Sequence, residues 1–257
     1  MNVTITTLNM QGFFSWKERE AHILAYLQTA QPDIVLFQEV TFLPDEAPYN
    51  QVSLLNQQLK YPYEHSAITR LQESPHYTTY REGLAMLSKY PVARTETIVL
   101  KQNPADQHQR LVEFIDIRRA DGTILKLANI HFSITDDTEA FARAQLQEVL
   151  EIIQNRNEFR VIAGDFNMRQ LEQHADLWDE NYTASTQSDY VSYPKDNKRL
   201  DYFLVPNEYT QRTLTLSPDG LSDHRAVTLQ LQVSQPRAIR ASSQRLRESM
   251  QRLVGKL

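Results

Sequence analysis

The chain has 257 residues, 41% of them hydrophobic and 23% charged, with a formal net charge of −5 and no cysteine. This composition is near the soluble globular norm and excludes a disordered, collagen-like or membrane-spanning chain; a chain of this length buries roughly 70–75% of its unfolded surface. The lack of cysteine excludes disulfides, thiolate metal sites, iron–sulfur clusters and cysteine nucleophiles.

In chain order, Val3–Asn9 is rich in Val, Ile and Thr and reads as a strand. A helix is expected from Ser15, which has capping-box spacing to Glu18, with Ile23, Leu24 and Leu27 as its apolar stripe, ending at Gln31-Pro32-Asp33. Ile34–Phe37 reads as a fully buried strand, and a second helix is expected within Tyr49–Leu59. Gly83–Ser88 is a short strand stopped by Pro91. Leu111–Ile117 and Thr123–Ile130 flank Asp121-Gly122, a hairpin signal. Thr138–Gln154 reads as a helix, Val161–Ala163 as a buried strand and Arg169–Trp178 as a short helix. Leu200–Val205 and Ala226–Val233 read as strands. Helices are too few for strict βα alternation, so mixed sheets with helices outside them are expected.

Charge divides the chain. Residues 234–257 hold six basic residues and one acidic, a balance of +5, which leaves −10 on residues 1–233. One catalytic domain over 1–233 and a basic tail over 234–257 are expected. Leu246, Met250, Leu253, Val254 and Leu257 fall at helical spacing in that tail. Its expected partners are nucleic acid, an anionic membrane surface, the body of the protein or another subunit. The N-terminus lacks a basic segment followed by an apolar one, and no apolar run approaches the ~18 residues of a membrane-spanning helix. A cytoplasmic location is the expectation.

Polar residues cluster at the predicted strand ends: Asn9, Gln38-Glu39, His131, Gly164-Asp165-Phe166-Asn167, Asp201 and Asp223-His224. In an extended stretch residues i and i+2 share a face, so Asp165 and Asn167 can point into one pocket with Phe166 behind. A carboxylate beside a carboxamide suits a water nucleophile, since one accepts a proton while the other fixes orientation. Taken singly each of these residues reads as a turn former, a solvated strand end or a structural histidine. Their order carries the information.

That order, with Asn9-Met10-Gln11-Gly12 at the start and Glu82-Gly83 before Leu84–Ser88, resembles the endonuclease/exonuclease/phosphatase superfamily over residues 3 to about 233. The resemblance implies a four-layered α/β/β/α sandwich of two packed mixed sheets and metal-dependent hydrolysis of phosphoesters. It implies that Glu39 is the main metal ligand, with Asn9 beside it as a carbonyl ligand or phosphate contact and Asp223 near the metal or its waters. Asp165 resembles the residue that activates or orients the attacking water, and Asn167 its partner at the phosphate. His224 resembles the histidine that bonds a phosphate oxygen, oriented by Asp201. His131 resembles a second phosphate-side histidine with Glu82 as its carboxylate partner. Tyr80 and Arg110 fall at candidate phosphate-contact positions. The implied cofactor is Mg²⁺, with Mn²⁺ as a substitute, because Mg²⁺ takes oxygen ligands and needs only one or two protein carboxylates.

A nuclease or phosphodiesterase acting on DNA or RNA is the first expectation. The alternatives are a hydrolase of inositol phosphates, sphingomyelin or other small phosphoesters and, more remotely, a non-catalytic binding module. Gln11 stands where the abasic-site endonucleases carry an acidic residue, and Thr41 where pancreatic-type deoxyribonucleases carry an arginine. Leu200-Asp201-Tyr202-Phe203 differs from the block typical of inositol-polyphosphate 5-phosphatases.

Overall fold

The structure, a computed structural model, describes residues 2–42, 49–72, 80–104, 106, 108–134 and 139–233. The basic tail over 234–257 lies outside the described residues. Two six-stranded sheets pack face to face. The first has the order β11-β12-β1-β2-β4-β3, from β1 (Asn2–Asn9), β2 (Ile34–Phe42), β3 (Tyr63–Gln72), β4 (Tyr80–Ser88), β11 (Tyr209–Leu216) and β12 (Val227–Val233). The second has the order β5-β6-β7-β8-β10-β9, from β5 (Val92–Val99), β6 (Leu111–Arg118), β7 (Ile124–His131), β8 (Val161–Asp165), β9 (Tyr182–Ala184) and β10 (Asp201–Pro206).

Side-chain alternation explains the layers. Ile34 and Leu36 face the other sheet, where Ile115, Leu125, Leu127, Val161, Ala163 and Phe203 meet them. Val35 and Phe37, one residue out of phase, face outward under α1 (Trp16–Ala30) and α2 (Gln51–Leu59), with Ile23, Leu27, Val52 and Leu55. On the second sheet, Phe114, Ala128, Ile130 and Ile162 face out under α3 (Ala140–Asn155), with Leu146, Val149 and Ile153. Strands covered on both faces favour apolar residues at successive positions, which accounts for runs such as Ile34–Phe37. The arrangement is the α/β/β/α sandwich expected.

Eight strands correspond to the eight read from sequence. The four not anticipated, β3, β5, β9 and β11, are the four edges of the two sheets. Two further expectations change. Ser15 adopts a left-handed conformation and its side chain caps nothing; α1 enters instead from a loop held by Arg19, whose guanidinium donates to the carbonyls of Met10, Gly12 and Phe14. The segment after Asn167 forms 3-10 turns over Leu171–Leu177, kinked at His174, rather than an α-helix.

Candidate active site

β1 runs parallel to β2, and β7 parallel to β8, so the C-terminal ends of all four point to one edge of the sandwich. β4, β10 and β12 run antiparallel to their neighbours and begin at that same edge. Topology therefore collects Asn9, Glu39, His131 and Asp165 from strand ends, and Glu82, Asp201 and His224 from strand starts. Of these, Glu39, His131, Asp165 and His224 line a cleft of about 240 Å³ together with Asn167 and Asp223, among others.

Two backbone features shape this edge. At β2 the pairing with β4 shifts between Phe37 and Val40, so Gln38 and Glu39 together oppose a single residue, and Glu39 takes a left-handed conformation at φ 51°. A non-glycine residue there costs on the order of 1–3 kcal/mol, a strain typical of functional positions. At β8, Gly164 has φ 143°, and a Cβ there would stand 2.0 Å from the carbonyl oxygen of Ile130. Only glycine lets β8 approach β7 closely enough to bring Asp165 opposite His131.

One amide joins the two sheets. Asn9 Nδ2 donates to Glu39 Oε1 at 3.1 Å and to Asp165 Oδ2 at 3.0 Å, while Asn9 Oδ1 accepts the Gln11 N–H at 2.9 Å. Asn9 thus presents donors, and not its carbonyl oxygen, to the two carboxylates. Gln11 also accepts the Asp223 N–H at 3.2 Å, tying the Asp223-His224 turn to β1. Asp165 Oδ1 accepts the Asn167 N–H at 2.9 Å, and Asn167 Nδ2 donates to the Phe132 carbonyl at 2.9 Å. Asp165 and Asn167 do share the cleft, but not through strand alternation: Asn167 is left-handed, at φ 50°, and the pair forms a tight turn. Phe166 packs edge-on against Phe132 and Tyr202 beneath it.

His224 is held through Nδ1 by Asp201 Oδ2 at 2.8 Å, and its Nε2 stands 3.8 Å from Asp165 Oδ2. Burial opposes charge on this ring, but Asp201, Asp165 and Asp223 outweigh it and push the histidine up to about 10. The ligand atoms of Asp165, Asp201 and His224 lie within 4.8 Å of one another. The Nδ1 of His224 is already engaged by Asp201, which makes the trio a hydrogen-bonded array in this structure. His131 is the opposite case: burial, then the charges of Arg110, His108 and His224, hold it well below the usual histidine range. Its Nε2, 3.6 Å from Asp165 and 3.9 Å from Glu39, has no hydrogen-bond partner.

The carboxylates are crowded. Burial and the neighbouring Glu82 push Glu39 up to about 7, against the bond from Asn9 and the charge of His224. Burial, with Asp201 adding to it, pushes Asp165 up to about 6, although His224 and the two asparagine bonds act the other way. Hard oxygen donors on Glu39 and Asp223, repulsion among Glu39, Glu82, Asp165 and Asp201, and an unpartnered His131 nitrogen together fit a divalent cation with its waters.

The remaining candidates sit further back. Glu82 stands 3.4 Å from His108 Nδ1, so His108, unremarked in the sequence, is the ring against it, while His131 faces Asp165 and Glu39. Arg110 is buried with its Nε on Asp106 at 2.9 Å, and Tyr80 packs edge-on to Phe13; neither lines the cleft. Sequence reasoning also passed over Tyr193, whose ring centroid lies 5.0 Å from that of His224, and the rim residues Ile134, Glu139, Arg169 and Lys198. No strand-end pattern singles these out, because they belong to loops.

The comparisons accord with this geometry. No curated protein matches the sequence. An endonuclease/exonuclease/phosphatase family protein from Leptotrichia buccalis C-1013-b superimposes with a TM-score of 0.73 at 17% identity, covering 90% of this chain and 99% of that one. The human Nocturnin catalytic domain with bound sulfate anion gives 0.70 at 17% identity, covering 91% and 95%. D. rerio TDP2 complexed with single strand DNA product gives 0.64 at 19% identity, covering 90% and 99%. At these identities the likeness establishes the fold. A family model described as Endonuclease/Exonuclease/phosphatase family matches residues 6–224, and the chain belongs to that family.

Proposed function

We propose that the chain is a divalent-cation-dependent hydrolase of phosphodiester bonds in nucleic acid. The observation that carries this reading is the pairing, across one cleft, of His224 held by Asp201 with Asp165 and Glu39 joined by a single amide. Glu39 and Asp223 would hold the cation, which when bound neutralises charge and polarises the phosphoryl group. The chain's own residues do the rest. The Nε2–H of His224, fixed by Asp201, donates to a phosphoryl oxygen and strengthens that bond as negative charge grows in the transition state. Asp165, with one oxygen on Asn167 and the other on Asn9, keeps a lone pair toward the cleft and takes a proton from the attacking water. Asn9 and Asn167 fix the direction of that carboxylate. No covalent intermediate is needed.

Nucleic acid is favoured as the substrate because two neighbours in structure are described with nucleic-acid or anion contacts: TDP2 with a single-strand DNA product and Nocturnin with sulfate. We place the catalytic unit at residues 1–233. The test is a substrate panel in Mg²⁺, comprising single- and double-stranded DNA, RNA, abasic DNA, inositol phosphates and sphingomyelin. Hydrolysis of a nucleic acid that stops in EDTA and returns with Mg²⁺ or Mn²⁺ supports the reading. Turnover confined to inositol phosphates or sphingomyelin would replace the substrate, and EDTA-resistant turnover would overturn the cation's role.

A further inference from the structure

We propose that Asn129 is a positioning residue that reaches from the second sheet into the first and locks the β2 irregularity that aims Glu39; this rests on the cation role given to Glu39 above. Asn129 lies on β7, fully buried and two residues before His131. Its Nδ2 shares two protons among three acceptors: the carbonyls of Phe37 and Ala85, each at 3.2 Å, and Glu113 Oε2 at 3.3 Å. Phe37 and Ala85 are the last residues paired before the β2–β4 register shifts. Its Oδ1 accepts from Gln38 Nε2 at 2.8 Å, and Gln38 in turn exchanges bonds with Thr7 on β1 at 3.1 and 3.2 Å.

The direction of this amide is forced, because three acceptors stand on one side and a donor on the other. Gln38, the first of the two residues that oppose one, is therefore held on the inter-sheet side. Glu39, which follows it in the left-handed conformation, turns to the cleft. Glu113 is itself fixed by His65 Nδ1 at 2.5 Å, and His65 Nε2 lies 3.2 Å from Thr95 Oγ1. The chain Thr7–Gln38–Asn129–Glu113–His65–Thr95 thus crosses between the sheets three times with every step a hydrogen bond. A buried, fully paired polar array selects one backbone geometry where apolar packing tolerates several. No atom of Asn129 touches the cleft, so its action on the site runs through Glu39.

Calorimetric titration of the full chain with Mn²⁺ as the probe tests this. Asn129→Ala is expected to weaken Mn²⁺ binding about 10- to 100-fold, the range typical of groups that orient a metal ligand. Glu113→Gln, which keeps an oxygen facing Asn129, is expected to stay within about threefold of wild type. Val149→Ala, on the buried face of α3 over the second sheet, serves as a control that loses thermal stability without losing Mn²⁺ affinity. Should Asn129→Ala not fold, Gln38→Leu removes the same bond from the other side and is expected to weaken Mn²⁺ in the same direction. Wild-type affinity in a folded Asn129→Ala or Gln38→Leu chain, or an equal loss in Val149→Ala, would overturn the proposal. A wild-type chain that binds no Mn²⁺ would overturn the cation role of Glu39 with it, an outcome distinct from the others.

Discussion

Two of the concavities among the described residues differ in how their charges are met. The cleft at the strand ends holds about 240 Å³, and a groove beside α3, lined by Leu150, Ile153, Phe159, Trp178 and Tyr182, holds about 310 Å³. The groove also carries acids, yet Asp176 is paired with Arg143 at 2.8 Å and Glu158 with Arg160 at 2.7 Å. In the cleft Asp201 is paired with His224, but Glu39 and Asp165 stand among other acids and are both pushed upward. Volume and acid count do not distinguish a catalytic site; uncancelled charge held by strained backbone does.

Substitutions should separate the two regions most sharply by rate. Asp165→Asn and His224→Ala are expected to lower kcat by ~10²–10⁴-fold, the worth of a general base or a transition-state donor, with circular dichroism unchanged. Gly164→Ala should act on stability, because its Cβ meets the Ile130 carbonyl; a loss of about 3 kcal/mol or more in urea unfolding is expected. A smaller effect separates the cleft by pH. Glu39 takes up its proton more readily in the folded chain than in the unfolded one, so its contribution to stability is present below about pH 4.5. That contribution is lost as pH rises toward about 7. Melting temperature should therefore gain more from Mg²⁺ at pH 8 than at pH 5, and Glu39→Gln should flatten that difference. The smallest effect belongs to the groove: Phe159→Ser, at a half-exposed ring, should leave turnover within about twofold of wild type.

The same contrast between interior and margin governs what the sequence disclosed. Ile34–Phe37 and Val161–Ala163 are legible because burial on both faces leaves a continuous apolar run. The edges β5 and β11 are half exposed, with patterns such as Thr95-Glu96-Thr97 and Thr210-Gln211-Arg212-Thr213, and carry no continuous apolar signal. At the cleft, Asn9, Glu39, Asp165, Asp201 and His224 were legible because each borders an apolar strand. Tyr193, His108 and Asn129 were not. Tyr193 and His108 belong to loops whose course depends on the whole fold. Asn129 sits inside β7, where its meaning depends on a register shift in a different sheet. The Ser15 cap failed because a capping pattern is local, whereas the entry to α1 is set by Arg19 and carbonyls up to nine residues away in that loop.

The most direct test of the central claim is hydrolysis of a short DNA oligonucleotide in H₂¹⁸O with Mg²⁺, comparing the wild-type chain with Asp165→Asn. The account predicts one ¹⁸O in the product phosphate for the wild type and a rate at least a hundredfold lower for the variant. Label in the sugar hydroxyl, or equal rates for the two chains, would contradict it.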